Sequence, residues 1–303
     1  MFSLGKKPNV KETQITHKRV LVTGGAGFIG HNLVKKLLSL GYEVNVLDDL
    51  STGVRERLPK QAKFFSGNIE DDDVYRAMEG CTAVFHLAAK TDARSTGDII
   101  YNTNYLGSKN VFTAAQKLGA KVIFTSSAAV YGDIPIPHKE DAACHPENDY
   151  GKSKLKAEKL LSADKSFIVR LFNVYGPEGN SVINKFCRLI PNYKDIVVYG
   201  TGTQTRDYVY VDDVVNALLL GFEMNGLYNV GTAQQVSVLH LTDMISSLTR
   251  AKVDIKFQPP KKEIMKSKAD ITKIKQFWHP EVDLENGITL VLKSQGWKPL
   301  PIQ

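Results

Sequence analysis

Short apolar runs alternate with segments of helical periodicity through the first half of the chain. Arg19–Thr23, Val44–Leu47, Lys63–Ser66, Ala83–Leu87, Val122–Thr125 and Phe167–Leu171 are rich in Val, Ile, Leu and Phe, the pattern of strands buried on both faces of a parallel sheet. Between them Ile29–Leu40, Asp71–Glu79, Ile99–Leu118 and Asp149–Ser162 carry apolar residues at helical spacing. Strand–helix alternation predicts βαβ units and an α/β fold, a doubly wound parallel sheet with helices on both faces. The second half is more broken, with glycines at Gly176–Gly179 and Gly200–Gly202. It predicts a smaller C-terminal α/β lobe. The expected division is a lead-in over residues 1–17, a first domain over 18–175 and a lobe over 176–303 that sends chain back to the first domain.

The first strand runs directly into Gly24-Gly25-Ala26-Gly27-Phe28-Ile29-Gly30. Glycines at this spacing permit a tight turn, let a pyrophosphate approach bare backbone, and let the following helix pack close to the sheet with its N-terminus toward the phosphates. Val46-Leu47-Asp48-Asp49 closes the second strand. An acid there accepts bonds from both adenosine ribose hydroxyls and repels a 2′-phosphate, so the pattern is a Rossmann-type site favouring NAD over NADP.

Composition narrows the class. The chain has 303 residues, 43% of them hydrophobic and 23% charged, an ordinary globular profile with apolar surface enough for a core. The sequence contains no run of about 18 apolar residues, which argues against a helical membrane span. The net charge is +7, and lysines at 252, 256, 261, 262, 266, 268, 273 and 275 account for much of it. They come without the stacking aromatics of an RNA-binding surface, so no nucleic-acid partner is expected. Three well-separated cysteines, Cys81, Cys144 and Cys187, suit a reducing compartment, and a cytoplasmic location is expected. The histidines show no metal-ligand spacing, and no metal is expected.

Tyr150 and Lys154 lie four apart and share one face of a helix. A free tyrosine has a pKa near 10, and lowering it by about 3 units requires roughly 4 kcal/mol of differential stabilisation. A neighbouring ammonium and a cationic nicotinamide ring are the expected sources. Thr125-Ser126-Ser127 ends the fifth predicted strand, at the edge where ligands bind parallel sheets. A hydroxyl there, such as that of Ser127, can bond a sugar oxygen and share in proton transfer.

With the glycine loop, His86-Leu87-Ala88-Ala89, Asn104, Ser127, Tyr150/Lys154, Arg170-Leu171-Phe172-Asn173-Val174-Tyr175-Gly176-Pro177, Gly200–Tyr208 and Tyr228–Gly231, the chain resembles the extended short-chain dehydrogenase/reductases. The nucleotide-sugar epimerase/dehydratase branch, and UDP-hexose 4-epimerases within it, fit best from Lys18 to Pro299. The resemblance implies a tyrosine base, a lysine that lowers its pKa and binds ribose, and a hydroxyl that positions substrate: Tyr150, Lys154 and Ser127. It implies NAD contacts from Gly24, Gly27, Phe28, Ile29 and Gly30, and from Asp48, Asp49, Ser51 and Gly53. Asn68, Ile69, Leu87, Ala88, Ala89 and Asn104 complete that set with Tyr150 and Lys154. Substrate contacts fall on Ser127, Tyr150, Asn173, Val182, Tyr199, Arg206, Ser267 and Asp270, with Asn173 and Arg206 at positions that hold the nucleotide diphosphate. Three departures stand out: Gly67-Asn68-Ile69 carries an amide where the family usually has an acid, the loop Lys90–Arg94 is short, and Met265 replaces a late arginine.

Sugar dehydratases and glucuronate decarboxylases of this family carry a carboxylate just after the catalytic hydroxyl, where this chain has Ala128 and Ala129. The resemblance therefore implies a UDP-sugar 4-epimerase acting through a transient 4-keto sugar on UDP-glucose/UDP-galactose. A small gate at Ser267, three residues before Asp270, extends this to UDP-GlcNAc/UDP-GalNAc. The alternative is an NAD(P)H-dependent 4-keto nucleotide-sugar reductase. The helical segments Ile99–Leu118 and Asp149–Ser162 suggest a homodimer.

Overall fold

The computed structural model describes residues 18–91, 97–260 and 263–298. The lead-in over 1–17, Asp92-Ala93-Arg94 of the short loop, Lys261 and Lys262 fall outside them. The first half runs β1 (Arg19–Thr23), α1 (Phe28–Ser39), β2 (Glu43–Asp48), β3 (Lys63–Ser66), α2 (Asp73–Met78), β4 (Cys81–His86), α3 (Gly97–Tyr101), a π-helical segment (Asn102–Gly107), α4 (Ser108–Leu118), β5 (Lys121–Ser127), α5 (Asp149–Glu158), β6 (Phe167–Leu171) and β7 (Asn173–Tyr175). The second half runs α6 (Val182–Leu189), β8 (Ile196–Tyr199), β9 (Thr205–Arg206), β10 (Tyr208–Tyr210), α7 (Val211–Leu219), β11 (Gly226–Val230), β12 (Val236–Ser237), α8 (Val238–Thr249), β13 (Ile255–Gln258) and α9 (Leu284–Ser294).

Seven strands form one sheet in the order β11-β6-β5-β4-β1-β2-β3, and every pairing in it is parallel. The continuous apolar runs follow from burial on two sides. Val20 and Val22 of β1 face one cluster with Leu33, Val34 and Leu37 of α1, while Leu21 faces another with Val111 and Ala115 of α4. The order reverses between β1 and β4, opening a crevice at the carboxyl edge of the strands. The expected helix over Ile99–Leu118 is divided by the π-helical segment Asn102–Gly107, a local widening that often marks functional sites.

A third apolar cluster, with Ile183, Phe186, Ile196, Tyr210, Leu241 and Ile288, belongs to the second half. Its strands are paired in twos: β10 with β7, β12 with β9, and β13 with β8. The return of chain to the first domain is β11, which becomes the seventh strand. Asp207 staples the lobe to the sheet. It is 0% exposed and accepts from Thr232 N–H and hydroxyl and from the N–H groups of Ala233 and Ala269. Burial pushes its pKa up, against the pull of these donors.

Removing that carboxylate leaves buried donors unpaired. Asp207→Ala should cost about 3 kcal/mol, read as a lower urea midpoint with an unchanged slope; an unchanged midpoint would show that the donors find other partners.

Candidate active site

A cleft of about 770 Å³ opens at the carboxyl edge of the sheet and is lined from the glycine loop to Lys154. Gly24 has φ +67°, and a Cβ there would lie 2.7 Å from Ala88 N; a Cβ at Gly30 would lie 2.2 Å from Gly24 O. Both positions therefore exclude side chains, and α1 starts at Phe28 with no side-chain cap on its N-terminus. Its free N–H groups face the cleft end that suits an anion. Asp48 accepts from Ala26 N–H and Leu50 N–H at 2.9 Å each. Burial raises its pKa, and the two donors oppose this. Each oxygen keeps a lone pair for a ribose hydroxyl. Asp49 takes the Lys90 ammonium at 2.9 Å, and Lys90 also reaches the Ser51 hydroxyl. This cradle, with an acid and no 2′-phosphate cation beside it, fits an NAD dinucleotide.

Behind the cleft runs a buried polar chain. Ala88 N–H donates to Thr23 Oγ1 at 3.3 Å, Thr23 Oγ1 meets His86 Nδ1 at 2.7 Å, and His86 Nε2 meets Ser108 Oγ at 2.8 Å. The Ser108 hydroxyl donates to Asn104 O at 2.6 Å, so its oxygen accepts from His86. His86 is thus a neutral Nε2–H tautomer, consistent with burial holding its pKa well below the usual value. Asn104 pairs through its amide with both Lys90 N–H and Lys90 O, and donates to Ser153 Oγ. Ser153 in turn donates to Tyr150 O at 2.7 Å. Asn104 is 0% exposed and, expected at the cofactor, instead braces the cleft wall because both ends of its amide are consumed inside the protein.

Ser127, Tyr150 and Lys154 all line the cleft. Ser127 Oγ accepts from Ala129 N–H at 3.1 Å, which leaves its proton for the Tyr150 phenol. Burial raises the Tyr150 pKa, and the Ser127 bond opposes it. Lys154 is 2% exposed. It donates to Thr125 O at 2.8 Å and sits 4.8 Å from the Phe124 ring centre. Burial drives its pKa down to about 7, with Glu158 pulling the other way. The expectation that the Lys154 ammonium lowers the phenol needs correction for the chain by itself: the amine is committed to a carbonyl and partly discharged, and desolvation keeps the phenol protonated.

The cleft also gathers Gly27, Phe28, Ile29, Asn68, Ile69, Leu87 and Ala89. Gly53 lies behind it, where a Cβ would meet Asp48 Oδ1 at 2.8 Å. The proposed substrate set lies apart from the lined volume. Arg206 is ion-paired with Glu263 at 2.7 Å, Ser267 is buried with its N–H on Thr205 O, and Asp270 caps Thr272 N–H, a bond that holds its carboxyl below the usual range. Asn173 pairs its backbone with Tyr208, Val182 opens α6, and Tyr199 closes β8. Cleft residues that the sequence pattern does not single out are Arg57, Phe172, Val174, Glu178 and Asn180, from loops whose sequence carries no period to place them.

A family model for the NAD-dependent epimerase/dehydratase family matches residues 20–231. A UDP-glucose 4-epimerase from Thermotoga maritima, solved with UDP-glucose, is 34% identical over 91% of this chain and 98% of its own, with a TM-score of 0.87. A UDP-glucose 4-epimerase from Thermus thermophilus, solved with NAD, is 31% identical over 91% and 98%, with a TM-score of 0.85. A UDP-N-acetyl-alpha-D-glucosaminuronate decarboxylase from Bacillus cytotoxicus is 33% identical over 89% of this chain and 95% of its own. The chain belongs to the NAD-dependent epimerase/dehydratase family, and its cofactor is NAD.

The burial of Lys154 has a sign that can be measured. Its folded pKa, about 7, lies below the unfolded 10.5, so the unfolded chain binds the extra proton between those values and stability falls as pH drops through that window. Lys154→Met should raise the melting temperature of cofactor-stripped protein by several degrees at pH 6 and far less at pH 10. An equal change at both pH values would contradict the depressed pKa.

Proposed function

We propose that this member of the family is a UDP-sugar 4-epimerase interconverting UDP-glucose with UDP-galactose, and UDP-GlcNAc with UDP-GalNAc. One observation carries the reading: Ser127, Tyr150 and Lys154 meet in the cleft, and the carboxylates that line it, Asp48, Asp49 and Glu178, are engaged elsewhere. Elimination of water or loss of carbon dioxide needs groups beyond a tyrosine base. Epimerisation at C4 needs one proton acceptor that returns what it takes.

Tyr150 accepts the proton of the sugar 4-hydroxyl, and the Ser127 hydroxyl stabilises the phenolate by donating to it. Bound NAD⁺ takes up and returns the C4 hydride, and its cationic ring adds the positive charge that favours the phenolate. Between transfers the 4-keto sugar turns its other face, and Tyr150 gives the proton back. Lys154 holds the β5 end and α5 in register through Thr125 O. For the substrate diphosphate, Arg206 exchanges the Glu263 carboxylate for a phosphate, which suits its planar fork. Ser267 leaves room for an N-acetyl group. A 4-keto sugar reductase would use the same trio with exchangeable NADH. Exposed apolar side chains at Ile99, Tyr101, Leu106, Leu118 and Leu160 support a homodimer through the α3–α4 and α5 faces.

Purified protein incubated with the four UDP-sugars and no added reductant should give the C4 epimers, resolved by chromatography; turnover that requires stoichiometric NADH would establish the reductase instead. Tyr150→Phe should lower kcat by about 10²–10⁴-fold with sugar binding retained, and an unimpaired kcat would remove Tyr150 from the chemistry. Ser267→Tyr should abolish the N-acetyl activity and spare the smaller sugars. Leu106→Glu should convert a dimer to a monomer by light scattering.

A further inference from the structure

Three charged side chains meet at the mouth of the glycine loop. Glu178 Oε2 accepts from Arg57 Nε at 3.1 Å and lies 3.0 Å from His31 Nε2. The other His31 nitrogen lies 2.8 Å from Gly27 O, inside the glycine turn. The loop that carries Glu178 rests on the first residue of α1: a Cβ at Gly179 would meet the Phe28 ring at 2.9 Å. Glu178 itself holds φ +64°, a left-handed backbone that a glutamate adopts at a cost and that tends to persist where function requires it. Arg57 and Glu178 both line the cleft, and His31 behind them is 1% exposed.

The cations along the cleft are Arg57, Lys90 and Lys154. Lys154 is spent on Thr125 O and Lys90 on Asp49 and Ser51. Arg57 uses only Nε, on Glu178; among the described residues its terminal nitrogens donate to none. A dinucleotide diphosphate brings two negative charges to the N-terminus of α1, where the protein otherwise offers backbone N–H groups alone. We propose that Arg57 is a further cofactor-binding residue that clamps this diphosphate, aimed by the Glu178–His31 pair. The carboxylate of Glu178 fixes the guanidinium from behind and leaves its two amino groups to form parallel bonds to phosphate oxygens. The proposal rests on the NAD cofactor of the family and is independent of which sugar the enzyme turns over.

Titration of cofactor-stripped protein with NAD⁺, ADP and adenosine tests it. Arg57→Gln should weaken NAD⁺ and ADP about tenfold each, leave adenosine unchanged, and flatten the salt dependence of NAD⁺ binding. Arg57→Lys, which keeps the charge without the fork, should fall between. Unchanged binding of NAD⁺ and ADP, or an equal loss for adenosine, would overturn the proposal. Arg57→Lys, with the salt dependence, carries the same decision should Arg57→Gln fold poorly.

Discussion

The cleft is built on a lysine that has almost no contact with water. Lys154 is pinned between the Phe124 ring and the Thr125 carbonyl, and one helical turn further on Glu158 takes two bonds from Arg170 of β6, at 3.0 and 2.8 Å, and the Ser126 hydroxyl. Three successive residues of β5 thus end in polar contacts that α5 and β6 satisfy: Thr125 O, Ser126 Oγ and Ser127 Oγ. Apolar packing alone tolerates a slide of helix over sheet, since one methyl replaces another at little cost. Directional bonds in a dry environment do not, because a slipped register strands a buried charge. Tyr150 and Ser127 are opposed because the residues beneath them allow no other fit. The arginine adds a second tie: its guanidinium lies 4.8 Å from the Tyr131 ring centre, and the Tyr131 hydroxyl donates to Asn229 at the end of β11.

A second polar line ties the two cofactor walls together. Thr23 at the end of β1, His86 at the end of β4 and Ser108 at the head of α4 are linked ring to hydroxyl across the sheet. The π-helical turn before α4 is what brings Asn104 O within 2.6 Å of Ser108 Oγ. Asn104 then spans from the Lys90 backbone to Ser153, one residue before Lys154. The strand that opens the glycine loop and the helix that carries the base are therefore parts of one hydrogen-bonded body. A site that must hold reacting atoms to within fractions of an ångström gains from such bracing.

How much of this was legible in the sequence divides along physical lines. Strands with two buried faces announce themselves, and the predicted β1, β3 and β6 agree with the observed ones to the residue. The glycine turn and Asp48 were legible because a close backbone approach and a ribose acid demand particular residue types. The lobe was not: β9 and β12 are two residues long and paired across distance, so no period betrays them. Asn104 was legible as a marked residue but its use was not, since an amide serves a cofactor or a backbone equally well until its neighbours are known. Glu158 and Arg170 escaped for the opposite reason. Charged residues on a helix and a strand read as surface, and only the fold turns both inward.

Charge pairing along the cleft also bears on how relatives with one fold divide by reaction. A proton shuttle of Ser127 and Tyr150 serves any of them, because each begins by oxidising a sugar carbinol. The fate of the oxidised sugar depends on whether a second acid or base stands free near it. Of the carboxylates along this cleft, Asp48 is filled by Ala26 and Leu50 N–H groups, Asp49 by Lys90 and Ser51, and Glu178 by Arg57 and His31. Ala128 and Ala129 come directly after Ser127, and Glu158 below them is locked to Arg170. A carboxylate already charge-paired has neither the raised pKa of an acid nor the free lone pairs of a base. With one titratable pair at the reacting end, the oxidised sugar has no route onward except to regain what it lost, and its freedom to turn over before doing so decides which epimer leaves.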